Sequence, residues 1–288
     1  YGILPLQAFG EIRNEKYRIA AGLQFDVFNP YAPTVLPFSI LSASGNTGNA
    51  FRGQIRFERF FNFANDVQWI GQLALSEPVA TTIDPTFSIL EDNGWPNVEG
   101  RLAVGVGISE LVNGAMRRPL ELGVSGVVGQ LRTTIPLNTQ VVTDVWGAGA
   151  DFRWKILPCL GIAGEIHHGE GLGPYNGGIL QNVNRDLINP AHSTFDAIES
   201  TGGWLETFAY WTPCFHSHVG YGIDNPEDAD LGLGQRSRNS TYFANLLWDV
   251  NAAFRVAFEF TWRETEYNLP NPLVNDGPGY HTQLRWSF

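Results

Sequence analysis

His216 and His218 stand two residues apart. On an extended chain both imidazoles then project from one face, a spacing that can offer two nitrogens to a metal. No third ligand accompanies them, and a pair of polar wall residues is the simpler reading. His167 and His168 project to opposite faces. Asp224-Asn225-Pro226-Glu227-Asp228-Ala229-Asp230 is rich in oxygen donors, as a calcium site requires, but its spacing is not that of an EF-hand and a solvated acidic loop accounts for it. Ser217 between the two histidines, and Ser193 beside His192, set a hydroxyl next to a base. There is no Gly-x-Ser-x-Gly elbow, phosphate loop or His-Glu-x-x-His. Asn239-Ser240-Thr241 matches a glycosylation triplet of low specificity. No catalysis, cofactor or metal is expected.

The arginines carry a stronger pattern. Lysine occurs only at Lys16 and Lys155, so arginine supplies nearly all of the positive charge. Its planar fork of donors suits carboxylates and phosphates. The arginines alternate with acids and amides, as in Arg52-x-Gln54-x-Arg56-x-Glu58 and Arg255-x-x-x-Glu259-x-x-x-Arg263. The net charge of -11 excludes an ordinary nucleic-acid binder. Charged residues are 16% of the chain, against about 25% in soluble domains. No apolar run reaches the ~18 residues of a membrane-spanning helix.

Apolar residues recur at every second position. Phe254, Val256, Phe258, Phe260 and Trp262 alternate with Arg255, Ala257, Glu259, Thr261 and Arg263, which gives a strand one greasy and one wet face. The pattern predicts thirteen strands at 3–13, 16–28, 51–62, 66–77, 99–111, 117–132, 139–156, 159–169, 201–211, 214–224, 238–249, 252–266 and 279–288. Short connectors (14–15, 63–65, 112–115, 157–158, 212–213, 250–251) alternate with longer ones (29–50, 78–98, 133–138, 170–200, 225–237, 267–278). Alternating short turns and long loops, with a C-terminal strand ending in Phe288, predict an all-β fold: one transmembrane antiparallel β-barrel over residues 1–288 in the bacterial outer membrane. Following the connectors back makes strand 3–13 run the same way as the last strand, whereas bacterial single-chain barrels have even strand numbers. The expectation is that N-terminal strands are lacking and that Tyr1 is not the mature start.

Alternation assigns Arg18, Asp26, Arg52, Gln54, Arg56, Glu58, Arg101, Glu121, Arg153, Glu165, His216, His218, Arg255, Glu259, Arg263 and Arg285 to the pore lining. Ile55, Phe57, Trp69, Leu73, Leu102, Val124, Val219, Phe258 and Phe260 face lipid. An arginine ladder of this kind attracts anions; alternatively Arg52, Arg56 and Arg255 serve only to neutralise Glu58 and Glu259. Loops 29–50 and 170–200 either fold inward and narrow the pore or lie on the surface. Cys159 and Cys214 start strands separated by one other strand, too far apart for a disulfide.

Ala21-Gly22-Leu23-Gln24-Phe25-Asp26-Val27-Phe28-Asn29-Pro30, then Gly45-Asn46-Thr47-Gly48 and Arg52-Gly53-Gln54-Ile55-Arg56-Phe57-Glu58, resemble the DcaP-like porins and their planctomycete-type relatives. Ala74-Leu75-Ser76-Glu77-Pro78 and residues 239–249 add to the resemblance. It implies a sixteen-stranded barrel that assembles as a homotrimer and passes small anionic solutes, the thirteen strands matching the last thirteen. The acidic net charge departs from the better-known members. The expected function is passive uptake of small polar or anionic solutes through a water-filled channel, with outer-membrane lipid as the surroundings. The alternatives are a structural barrel with a plugged lumen and a barrel-type outer-membrane enzyme.

Overall fold

Phe, Trp, Tyr, Val and Ile at alternate positions favour extended chain, because branched and aromatic side chains pack well on a pleated surface. The computed structural model describes residues 7–36, 44–48, 50–63, 66–78, 94–112, 115–135 and 139–287. Its strands are β1 (Ala8–Arg13), β2 (Tyr17–Phe25), β3 (Phe51–Phe63), β4 (Val67–Ser76), β5 (Asn97–Val106), β6 (Glu110–Val112), β7 (Ala115–Arg117), β8 (Leu120–Ile135), β9 (Thr139–Leu157), β10 (Leu160–Glu170), β11 (Glu199–Thr212), β12 (Phe215–Pro226), β13 (Arg236–Asp249), β14 (Phe254–Tyr267) and β15 (Leu273–Trp286). Thirteen of them form one antiparallel sheet, β1-β2-β3-β4-β5-β8-β9-β10-β11-β12-β13-β14-β15. The wall strands therefore number as the alternation predicts.

The sheet is curled. The chain leaves β2 at Phe25, and eleven residues later the Leu36 amide donates to Glu259 on β14. Those strands are ten places apart in the sheet, or about 48 Å if it were flat. Eleven residues reach at most about 40 Å.

The two faces invert the soluble pattern. Ile55, Val124, Val219 and Phe258 are each more than half exposed. On the opposite face Arg52, Glu58, Asp151, Glu165, His218 and Glu259 are buried. Grease outside and charge inside is the arrangement a bilayer imposes on a barrel wall.

Three expectations need correcting. The connector 267–278 is five residues, because β15 begins at Leu273. Asn275-Asp276-Gly277-Pro278 has turn-forming composition, yet an edge strand tolerates proline because one row of its N–H groups is unpaired. The strand expected at 99–111 is β5, which ends at Val106. The connector 112–115 is the tip of a separate ribbon, β6–β7. The first described strand covers Ala8–Arg13 of the expected 3–13, and the start of that expectation, with Tyr1 and Phe288, lies outside the described residues. Cys159 and Cys214 sit in the turns before β10 and β12, both exposed and free.

Candidate functional site

Residues 26–36 leave β2 and cross the interior as an extended strap. A strap outside any sheet must satisfy its own backbone donors, and the wall does this with carboxylates. The Val27 and Phe28 amides donate to Glu99 Oε2 (2.6 and 3.2 Å). Asn29 donates to Ser125 Oγ, Tyr31 to Glu165 (2.6 Å), Thr34 to Glu206 (2.7 Å) and Leu36 to Glu259 (2.9 Å). Pro30 and Pro33 have no N–H to place. Val35 donates to the Pro33 carbonyl within the strap, and Ala32 is exposed. Hydrogen bonds with one charged partner are about twice as strong as neutral ones. Asn245 and Gln283 complete the attachment by donating to the Thr34 and Leu36 carbonyls.

Glu165 and Glu259 were expected from alternation; Glu99 and Glu206 were not. Glu206 lies on the inner face of β11 between Trp204 and Phe208, both buried. Aromatics on that face, with Leu205 on the other, remove the contrast that alternation needs. Glu99 lies within β5, which begins at Asn97 rather than at Glu99.

Most inner arginines are neutralised. Arg52 pairs with Asp26 (2.6 Å) and donates to the Pro174 carbonyl. Arg101 pairs with Asp151 (2.6 Å). Arg18 meets Glu58 and Glu11, and Arg56 lies 3.6 Å from Glu58. Gln54 donates to the Gln24 and Phe25 carbonyls. Arg255 pairs with Asp249, not Glu259, and Arg52 with Asp26, not Glu58. The ladder is thus largely an internal charge balance. Burial pushes the Asp26 carboxyl up to about 7, with Arg52 pulling it down and Glu99 pushing it further up.

Arg153 differs: its guanidinium lies 4.6 Å from the centre of the Phe208 ring, with no ion pair among the described residues. Glu121 accepts from the Tyr31 hydroxyl (2.6 Å) and pairs with Arg117. His216 and His218 are joined Nδ1 to Nε2 at 2.9 Å. His218 Nδ1 lies 3.5 Å from Glu206 and His216 Nε2 lies 3.3 Å from Asp249. Among the described residues no group of three or more His, Cys, Asp or Glu side chains is placed to hold a metal. Arg263 is half-buried on β14, and Arg285 lines a cavity of about 600 Å³ at the short-turn rim with Asp249 and Arg255.

Loop 171–198 also folds inward. Leu172, Tyr175 and Val183 join Phe28 of the strap and Val127, Leu131, Val141 and Val145 of β8 and β9 in a buried apolar cluster. On the short-turn side of the strap a cavity of about 320 Å³ remains between Tyr31, Thr34, Arg153, Glu206 and His218.

No family model matches the sequence, and neither does any curated protein sequence. Solved structures do. The chain is similar to the outer-membrane channel DcaP of Acinetobacter baumannii (TM-score 0.68, 11% identity, 97% of this chain and 74% of that one). It is also similar to an anion-selective porin from Comamonas acidovorans (0.57, 9%, 97% and 77%) and to OmpT of Vibrio cholerae, expressed in the outer membrane (0.55, 10%, 96% and 79%). With its greasy exterior, charged interior and thirteen antiparallel strands in one sheet, the chain has the fold of the DcaP-like outer-membrane porins.

Proposed function

We propose that the protein is a bacterial outer-membrane porin, a water-filled channel for passive uptake of small polar and anionic solutes, narrowed by the strap. The observation that carries this reading is a strap held across a charged interior by Glu99, Glu165, Glu206 and Glu259, with a cavity beside it. Selectivity in a pore comes from a constriction lined by charged and polar groups. The Comamonas neighbour's anion selectivity supports the anionic part. Here that preference rests on Arg153 more than on the ladder, because the paired arginines offer little net charge.

The reading includes assembly as a homotrimer. Gly126, Ala148, Ala150, Gly164 and Gly203 lie on the outward face of β8–β11, interspersed with Val124, Phe152, Ile166 and Leu205, a mixed small and apolar surface that supports contact between barrels. Catalysis is not part of the reading: Ser217 projects away from the face that carries His216 and His218, and its hydroxyl accepts from Trp211 Nε1.

Single-channel recording in planar bilayers tests the proposal. Steady ohmic current is expected, with a reversal potential in a salt gradient shifted toward the anion. No current would favour a plugged structural barrel, and a shift toward the cation would remove the anionic part.

A further inference from the structure

Arg153 on β9 is in register with Ala163 on β10, and Ala163 with Glu206 on β11. A guanidinium and a carboxylate therefore share one face two strand spacings apart, about 9.6 Å between Cα atoms, with only a methyl group between them. They are not joined. Arg153 is turned onto the Phe208 ring, and Glu206 is drawn to the Thr34 amide and hydroxyl of the strap, with His218 Nδ1 3.5 Å away. Both line the 320 Å³ cavity with Trp204 and Tyr210, a volume at the small end of the roughly 300–1,000 Å³ of ligand pockets. Each keeps bonding capacity, since a guanidinium has five donors and a carboxylate about four lone-pair sites. Arg117, also on the cavity wall, is offset by Glu121 at 3.3 Å.

We infer that this cavity is a retention site for small dipolar ions, amino acids with an apolar side chain, whose carboxylate meets Arg153 and whose ammonium meets Glu206. The inference rests on the channel reading and names a substrate class for it. A lone anion at Arg153 faces the Glu206 carboxylate across the gap, and a lone cation at Glu206 faces the guanidinium. A dipolar ion satisfies both charges at once, and its apolar body lies among Trp204, Phe208 and Tyr210, which line the cavity and give large contact area with few rotatable bonds.

Three probes share one apolar body: L-phenylalanine, 3-phenylpropionate and phenethylamine. Interruptions of single-channel current report their residence times. Phenylalanine is expected to reside about tenfold longer than either singly charged probe, a difference of roughly 1.4 kcal/mol. Arg153→Gln is expected to abolish its advantage over phenethylamine. Glu206→Gln, which keeps an acceptor for Thr34, is expected to abolish its advantage over 3-phenylpropionate. Equal residence of the three probes, or an unchanged ranking in Arg153→Gln, overturns the dipolar site while leaving the channel intact. If no current flows, the channel reading fails, and calorimetric titration of the detergent-purified protein with the same probes decides retention: the same ranking sustains it, and its absence overturns it.

Discussion

The two halves of the interior are built from the same strands and differ in kind. Along the inner face of β9, Val141, Thr143 and Val145 lie toward the long-loop end, and Asp151 and Arg153 toward the short-turn end. β8 runs the same way, with Val127 and Leu131 at one end and Glu121 at the other. The apolar ends of β8 and β9 are covered by the buried side chains of Phe28, Leu172 and Tyr175. The charged half keeps a cavity. Packing thus fixes where the strap crosses, and charge on the far side of it sets what the remaining space can accept.

The largest expected effect comes from emptying the packed half. Phe28 is fully buried and meets Tyr175 edge-on, ring centres 5.6 Å apart. Phe28→Ala should destabilise the protein by about 3–5 kcal/mol, read as the urea midpoint of unfolding from lipid vesicles. It should also raise conductance if the strap loosens. A change under 1 kcal/mol would mean that the two halves do not differ in packing.

The border between the halves is marked by glycine. A Cβ on Gly149 would stand 1.9 Å from Asn29 Oδ1, and one on Gly147 3.0 Å from the Phe28 ring. Gly149→Ala should therefore push the strap aside at a cost of about 1–3 kcal/mol and alter single-channel conductance, whereas outward-facing Gly71, with open space around it, should accept alanine with no change in current. Identical currents for the two variants would remove the strap from the conducting path.

The carboxylates that hold the strap should grade along its length. Glu99 accepts from two strap amides and from the Ser76 and Tyr175 hydroxyls, whereas Glu259 accepts from Leu36 and Asn245. A charge-assisted hydrogen bond contributes about 1.5–3 kcal/mol net against about 1 for a neutral one. Glu99→Gln should thus lose roughly 1–2 kcal/mol more than Glu259→Gln. Unfolding midpoints of the two variants check this, and equal losses would flatten the gradient between the packed and open halves.

The sequence made the wall legible and the filling only partly so. Alternation finds the thirteen wall strands wherever one face meets lipid and the other meets charge, as in β3 and β14. It finds β11 and β13 as strands too but assigns none of their residues to the lumen, because Trp204, Phe208, Phe243 and Leu247 are buried on the inner face, where the interior is packed against protein. The strap was recognisable as a loop able to fold inward, but its course depends on Glu99 and Glu206, which come from strands distant in sequence. The pairing of Arg255 with Asp249 depends on register across the β13–β14 turn, which residue types do not specify. Arg153 and Glu206 became a pair of interest only once β9, β10 and β11 were aligned.

The charge balance where the strap begins gives a further test. Asp26 is buried against Arg52, and burial raises its carboxyl from the usual 3.8 to about 7. An acid whose folded-state value is raised contributes stability that is complete below the unfolded value and is withdrawn as pH climbs through the folded one. Relative to Asp26→Asn, the natural protein should lose stability between about pH 4 and pH 7 and run parallel to the variant outside that window. Unfolding midpoints of both proteins across this range make the comparison, with the shared titration of all other groups cancelling. Parallel curves throughout would mean that Arg52 holds Asp26 ionised, and that the head of the strap is a tight ion pair whose charges stay fixed whatever the pH on either side of the membrane.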